Sequence, residues 1–125
     1  PRGNGNNVRD FLYVKDVVDL YILIAKKLFI KPNKIKGQIF NAGSNKPMKI
    51  KDIIKIIFIH ANKKKEYLKI INKFKNKKTI GEIDYQYMDH KKVKKYFGWS
   101  PKYNFEKGIN ETFDWYKENN YSNAS

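Results

Sequence analysis

A chain of 125 residues, 41% of them apolar and 15% aromatic, has the material for one hydrophobic core, which excludes a disordered segment and a pair of ordinary domains. It has no cysteine, which excludes a disulfide framework and any thiolate zinc site and suits a reducing, cytoplasmic setting. A formal charge of +15 raises nucleic-acid binding, but all the basic residues except Arg2 and Arg9 are lysines, and base reading and forked phosphate contacts favour the guanidinium. Lys, Asn and Ile are abundant while Ala, Gly, Pro and Arg are scarce, the signature of A/T-rich codons. The charge is therefore read as solvated faces, and a small basic nucleic-acid-binding module stands as the alternative of another class.

In chain order, residues 3–9 read as a Gly/Asn loop and Phe11–Val14 as a short strand. Asp16 is placed to cap the helix that follows. That helix has Val17, Leu20, Tyr21, Leu23, Ile24 and Leu28 on one side, carries Lys26 and Lys27 at its carboxyl end, and stops before Pro32. Gly37–Gly43 reads as a buried strand and turn. A second helix from Lys49 to Ala61 is expected to bury Ile50, Ile53, Ile54, Ile57 and Phe58, and strand, helix, strand, helix favours an α/β arrangement. Lysine-rich residues 63–78 offer Tyr67, Leu68, Ile70 and Ile71 as an edge strand. Ile83, Tyr85 and Tyr87 alternate, Asp89 caps a short helix through Tyr96, and Gly98 ends it. Trp99–Tyr103 is a turn. A last helix carries Phe105, Ile109, Phe113 and Tyr116, and a frayed tail follows Asn119. The apolar runs are broken by charges well short of a membrane span.

An enzyme needs a nucleophile, a base, a metal cluster or a cofactor cradle. His60 and His90 have no ligand partner at metal spacing, and His90, beside Asp89, reads as solvated surface. The Gly3–Gly5 loop leads into a strand, not from a strand to a helix, so it is no dinucleotide cradle. Tyr87/Lys91 and Tyr103/Lys107 have the spacing of an alkoxide-forming dyad. Nine tyrosines among so many lysines yield about two such pairs by chance, and neither has the helical setting. No catalytic, cofactor-binding or metal-ligating residue is assigned.

From Gly3 onward, the run Gly3-Asn4-Gly5, Arg9-Asp10-Phe11-Leu12-Tyr13-Val14, Asp16-Val17-Val18-Asp19 resembles a segment of extended short-chain dehydrogenase/reductase enzymes of the NAD-dependent epimerase/dehydratase family. The likeness continues in order through Phe40-Asn41-Ala42-Gly43, Pro47, Asp52-Ile53, Gly81-Glu82-Ile83, Asp89 to Lys92, and Gly98-Trp99-Ser100-Pro101. It ends in the helix with Gly108, Ile109, Thr112 and Trp115-Tyr116. Each block is a weak match; together, in one order across nearly the whole chain, they are specific.

The resemblance implies the C-terminal fragment of an extended Rossmann-type α/β enzyme. Mixed strands and helices would form a substrate-binding region over 1–119, with a disordered tail at 120–125. The family's cofactor loop and Tyr-x-x-x-Lys dyad lie upstream of the Arg-Asp-Phe motif, so a missing N-terminal half is implied and the start at Pro1 reads as truncation. NAD or NADP would belong to the intact enzyme, a homodimer, and none would be bound by this fragment alone. The implied substrate is a nucleotide-diphosphate sugar. Arg9 would bind its pyrophosphate by forked bonds, against a salt bridge to Asp10 or Glu82. Glu82 would accept from a sugar or ribose hydroxyl, and Phe11 and Gln86 occupy further substrate-binding positions. Where many epimerases carry a second phosphate arginine, this chain has Lys77, Lys78 and Thr79, and Lys49 replaces the usual capping Ser or Thr. The stretch Gly81 to Asp89 is closer to nucleotide-diphosphate-hexose 4,6-dehydratases, lyases such as those acting on CDP-glucose or GDP-mannose, with 4-epimerisation as the alternative.

Overall fold

The computed structural model describes residues 3–77 and 81–119. Helix α1 (Val14–Ile30) is its spine. Lys31 breaks the helix and Pro32 opens the single turn α2 (Pro32–Ile35), where a missing N–H costs nothing. Leu20 on α1 meets Ile35 of α2, Val93 and Phe97 of α5 (Lys91–Phe97), and Trp99, with Leu12, Leu23, Ile24, Phe40 and Ala42 packed around them. Gly98 ends α5 at φ 69°, a left-handed conformation that would strain any residue with a Cβ, and this reversal turns Trp99 back into the core.

A second layer is built on α3 (Ile50–His60), whose buried Ile53 faces inward and which packs on α4 (Lys64–Phe74) and α6 (Phe105–Glu118). Asn62 takes φ 56° in the reversal between α3 and α4. Asn104 caps α6 by accepting from the Lys107 amide at 2.8 Å. Between the layers, β1 (Val8–Arg9) pairs antiparallel with β2 (Met48–Lys49), Val8 opposite Lys49 and Arg9 opposite Met48. Residues 84–86 add a parallel bridge to Val8: its amide donates to the Asp84 carbonyl at 2.7 Å and its carbonyl accepts from Gln86 at 3.1 Å. Buried Asn7 extends the clamp, its side-chain amide donating to Ile83 at 3.2 Å.

Several expectations are corrected. The fold is helix-rich rather than evenly α/β, with only two short strands among the described residues. The first strand falls at Val8–Arg9 and not at Phe11–Val14, because Tyr13 already serves as the N-cap residue of α1. Residues 37–43 form no strand among the described residues. A strand needs a ladder partner for its backbone groups; none pairs with this stretch, so Phe40 and Ala42 turn onto the core while Ile39 stays 81% exposed. Residues 64–74 are a helix, not an edge strand. Tyr67, Ile70, Ile71 and Phe74 are partly buried at helical spacing, and the lysines between them are good helix formers. Ile83, Tyr85 and Tyr87 contribute a single bridge at Tyr85. The tail at 120–125, Lys78 and Thr79 lie outside the described residues.

Candidate functional site

The clamped strand β1 presents Arg9, half-buried, with Nη1 donating to the Val8 carbonyl at 2.8 Å. Among the described residues Arg9 forms no ion pair with Asp10 or Glu82. It lines a cleft of ≈270 Å³ with Asp10, Leu12, Gly43, Gln86 and Tyr87. The bond from Gln86 to Val8 fixes that glutamine beside Arg9. Phe11 instead faces a separate cavity of ≈610 Å³, with Ser44, Lys46, His90 and Tyr103, and sets its ring edge-on to Phe105 with centroids 5.9 Å apart. Glu82 is exposed and lines neither space. Of the four substrate-binding positions expected from sequence, Arg9 and Gln86 come together; Phe11 and Glu82 lie apart from them.

What divides the two spaces is a clasp that the sequence reading passed over. The Asp10 carboxylate accepts from the Ser44 amide at 2.9 Å and from the Ser44 hydroxyl. This brings residues 43–44 so close that a Cβ on Gly43 would collide with the Asp10 carboxylate and the Met88 carbonyl. His90, expected at the surface, is half-buried: its Nδ1–H donates to the Gly43 carbonyl at 2.8 Å and its ring stands edge-on to Trp99. The Gly43 carbonyl and the indole face together draw it inward. The only signal for the clasp in the sequence is the pairing of an acid in Arg9-Asp10-Phe11 with a Gly-Ser turn, which is short and common.

Asp16 also departs from its expected role. It lies in the first turn of α1, fully buried, and its carboxylate accepts from the amides of Lys102 at 2.9 Å and Tyr103 at 3.2 Å, while its carbonyl accepts from the Trp99 indole at 3.2 Å. It therefore anchors the turn that walls the Phe11 cavity and caps nothing in its own helix. Asp89 does bond the start of α5, accepting from the Lys91 amide at 2.7 Å, and this bond holds its carboxyl below the usual range.

The start of α1 is tied to α6 by a triad. Lys15 lies 2.6 Å from Glu111, which also accepts from the Tyr13 hydroxyl at 3.2 Å, and the Tyr13 ring rests on Gly108. Lys15 depresses the Glu111 carboxyl, Glu111 raises the Lys15 ammonium, and burial followed by the Glu111 bond raises the Tyr13 phenol. Neither Tyr-x-x-x-Lys pair forms a dyad on a helix: Tyr87 and Tyr103 lie in irregular segments, and Lys107 sits over the Tyr103 ring at 4.4 Å. Among the described residues no group of three His, Cys, Asp or Glu could hold a metal, and no helix is long and apolar enough to cross a membrane.

The glycine loop at residues 3–5 is no dinucleotide cradle. A cradle needs glycine-backed amides free at a helix start. Here the glycine loop itself fills the start of α3: the Lys51 amide donates to Gly5 at 2.9 Å, the Ile50 amide to Asn7 at 3.0 Å, and Gly5, at φ 76°, leaves no room for a Cβ beside Lys51.

A family model described as GDP-mannose 4,6 dehydratase matches residues 1–112. Among curated proteins, the chain is 32% identical over 121 residues to human dTDP-D-glucose 4,6-dehydratase, covering 94% of this chain and 32% of that protein. It is 31% identical over 120 residues to UDP-glucuronate 4-epimerase of Thermodesulfobacterium geofontis, with 94% and 32% covered. Among solved structures, dTDP-glucose 4,6-dehydratase of Bacillus anthracis in complex with NAD is similar at a TM-score of 0.70 and 29% identity, with 96% of this chain and 34% of that one covered. The chain thus spans about a third of the length of these relatives.

Proposed function

Since this chain belongs to the GDP-mannose 4,6 dehydratase family, we propose that it is the substrate-holding portion of an NAD-dependent nucleotide-diphosphate-hexose 4,6-dehydratase. The observation that carries the reading is the Arg9–Gln86 cleft. A guanidinium with one N–H tethered to its own strand and the rest of its fork unengaged among the described residues suits a pyrophosphate, and Gln86 beside it can bond a phosphate or hydroxyl oxygen. The excess of lysine attracts the same dianion at longer range. On this reading NAD, which the Bacillus anthracis relative holds, binds in the two thirds that this chain does not span, and the filled helix start at α3 supports it. Its chemistry, when bound there, is hydride transfer; the residues of this chain bind and orient.

Titration calorimetry with dTDP-glucose tests the reading. The chain is expected to bind it, and Arg9→Met to weaken binding at least tenfold, about 1.4 kcal/mol or more, with Arg9→Lys intermediate. Equal affinity in Arg9→Met overturns the role given to Arg9. The 4-epimerase relative at matching identity supports a second reading, inversion at C4 without loss of water. The product formed from dTDP-glucose by the intact enzyme separates the two: a 4-keto-6-deoxy hexose for dehydration, an inverted hexose for epimerisation.

A further inference from the structure

Residues 53–81 hold nine lysines and, of the twelve acids in the chain, only Glu66. The codon bias that accounts for the number of lysines does not account for this, since aspartate and glutamate are also written with A/T-rich codons. Helix α4 sorts its lysines by side. Tyr67, Ile70, Ile71 and Phe74 turn toward α3, where the rings of Tyr67 and Phe58 lie 6.4 Å apart. On the opposite side Lys65, Lys69 and Lys73 follow one another at i, i+4 and i+8, with Lys64 and half-exposed Leu68 beside them. Lys63 and Lys75 stand at the two ends. All six lysines are exposed, and none forms an ion pair among the described residues. A solvated helix face ordinarily mixes both signs, because like charges four residues apart repel. Here that repulsion is left unrelieved.

We propose that the outer face of α4 docks on an anionic lipid bilayer. A cluster of about four to eight lysines on an amphipathic helix is what anionic headgroups attract. The shape agrees with a plane: over its eleven residues the face runs roughly 16 Å, and Lys64 to Lys73 spread over about half the helix circumference. The lysine stems can lie along the interface with their ammonium groups among the headgroups, while Leu68 dips below them. Nucleic acid fits less well, because the face has no arginine to fork onto a phosphate and no exposed aromatic ring to stack on a base. None of these residues lines the Arg9–Gln86 cleft, so the proposal stands apart from the substrate-holding role.

Flotation of the full chain with vesicles of phosphatidylglycerol and phosphatidylcholine in equal parts, at physiological ionic strength, is the test. The chain is expected to float with these vesicles and not with phosphatidylcholine alone. It should detach at about 1 M salt, where the screening length falls to about 3 Å. Lys65→Gln, Lys69→Gln and Lys73→Gln together should lower partitioning at least tenfold. The matching arginine triple should stay within threefold of wild type, as should Lys26→Gln, Lys27→Gln and Lys34→Gln, an equal loss of charge on α1 and α2. A urea midpoint of the α4 glutamine triple at or above that of wild type shows that the loss is not unfolding. In the unmutated chain, the mixed vesicles should shield Lys65, Lys69 and Lys73 from amine acylation more than Lys26 and Lys34. Equal binding to neutral vesicles, an equal loss in the α1–α2 variant, or the reverse order of shielding overturns the proposal. So does a chain that ignores vesicles and binds a duplex oligonucleotide through these lysines, which gives the face to nucleic acid.

Discussion

Replacing Asp16 with alanine removes the buried carboxylate that holds α1 to the turn after α5. Its oxygens accept from the amides of Lys102 and Tyr103, at 2.9 and 3.2 Å, in a side chain with no exposed surface. Hydrogen bonds to a charged acceptor contribute about 1.5–3 kcal/mol each, and both amides lose their partner together. Both donors are only partly buried, so water recovers some of the loss, and the net cost is about 2–4 kcal/mol. That is a large fraction of the roughly 5–15 kcal/mol that holds a typical domain. With a urea slope of about 1.5 kcal/mol per molar, the midpoint of unfolding falls by about 1.3–2.7 M at constant slope. Asp16→Asn recovers less than half of this, since its NH₂ group faces an N–H. Urea denaturation followed by circular dichroism and Trp fluorescence is the assay; the indole of Trp99, bonded to the Asp16 carbonyl, reports locally. A midpoint shift under about 0.5 M for Asp16→Ala would refute the account of Asp16 as a buried anchor.

Gly43→Ala is expected to destabilise by about 1–3 kcal/mol, because its Cβ meets the Met88 backbone carbonyl and the Asp10 carboxylate, which can yield only by giving up its bonds to Ser44. The same change should weaken dTDP-glucose binding as the clasp beside Arg9 opens; wild-type denaturation and affinity together would count against the clasp. The Lys15–Glu111 pair sets a pH dependence. Glu111 is held below its ordinary 4.5, so its contribution is complete above that value and is lost as pH falls through the lower folded value. Lys15 is held above its ordinary 10.5, so its contribution fades only as pH rises beyond that. The small difference in urea midpoint between wild type and Glu111→Gln, seen at neutral pH, should therefore close as pH drops from 4.5 toward about 2. A difference that persists in acid contradicts the pairing.

Local chemistry made the long helices legible. Apolar spacing marked α1, α3 and α6, and the left-handed glycine at 98 marked the end of α5, because those signals depend only on near neighbours along the chain. The family likeness rested on the same kind of information, an ordered set of short blocks around Arg9, Asn41, Glu82 and Trp99. Where one pattern served two structures, reading from sequence failed: lysines between Tyr67, Ile70 and Ile71 hid a helical stripe, and the apolar run at 37–43 had the composition of a strand without a partner to pair with.

By itself, then, the amino-acid sequence determined the helical stripes and the family, and named Arg9, Phe11, Glu82 and Gln86 alike as expected substrate-binding positions. Tertiary structure alone decided that Arg9 and Gln86 share one cleft with Phe11 and Glu82 outside it, that Asp10 clasps Ser44, and that Asp16 serves a turn more than eighty residues away. The physical reason is that a carboxylate's partner is chosen by which unsatisfied amide the fold brings within 3 Å, and sequence distance carries no information about that. The outer face of α4 lies on the same boundary: its lysines can be counted in the sequence, but only the helix packed on α3 shows that they share one side.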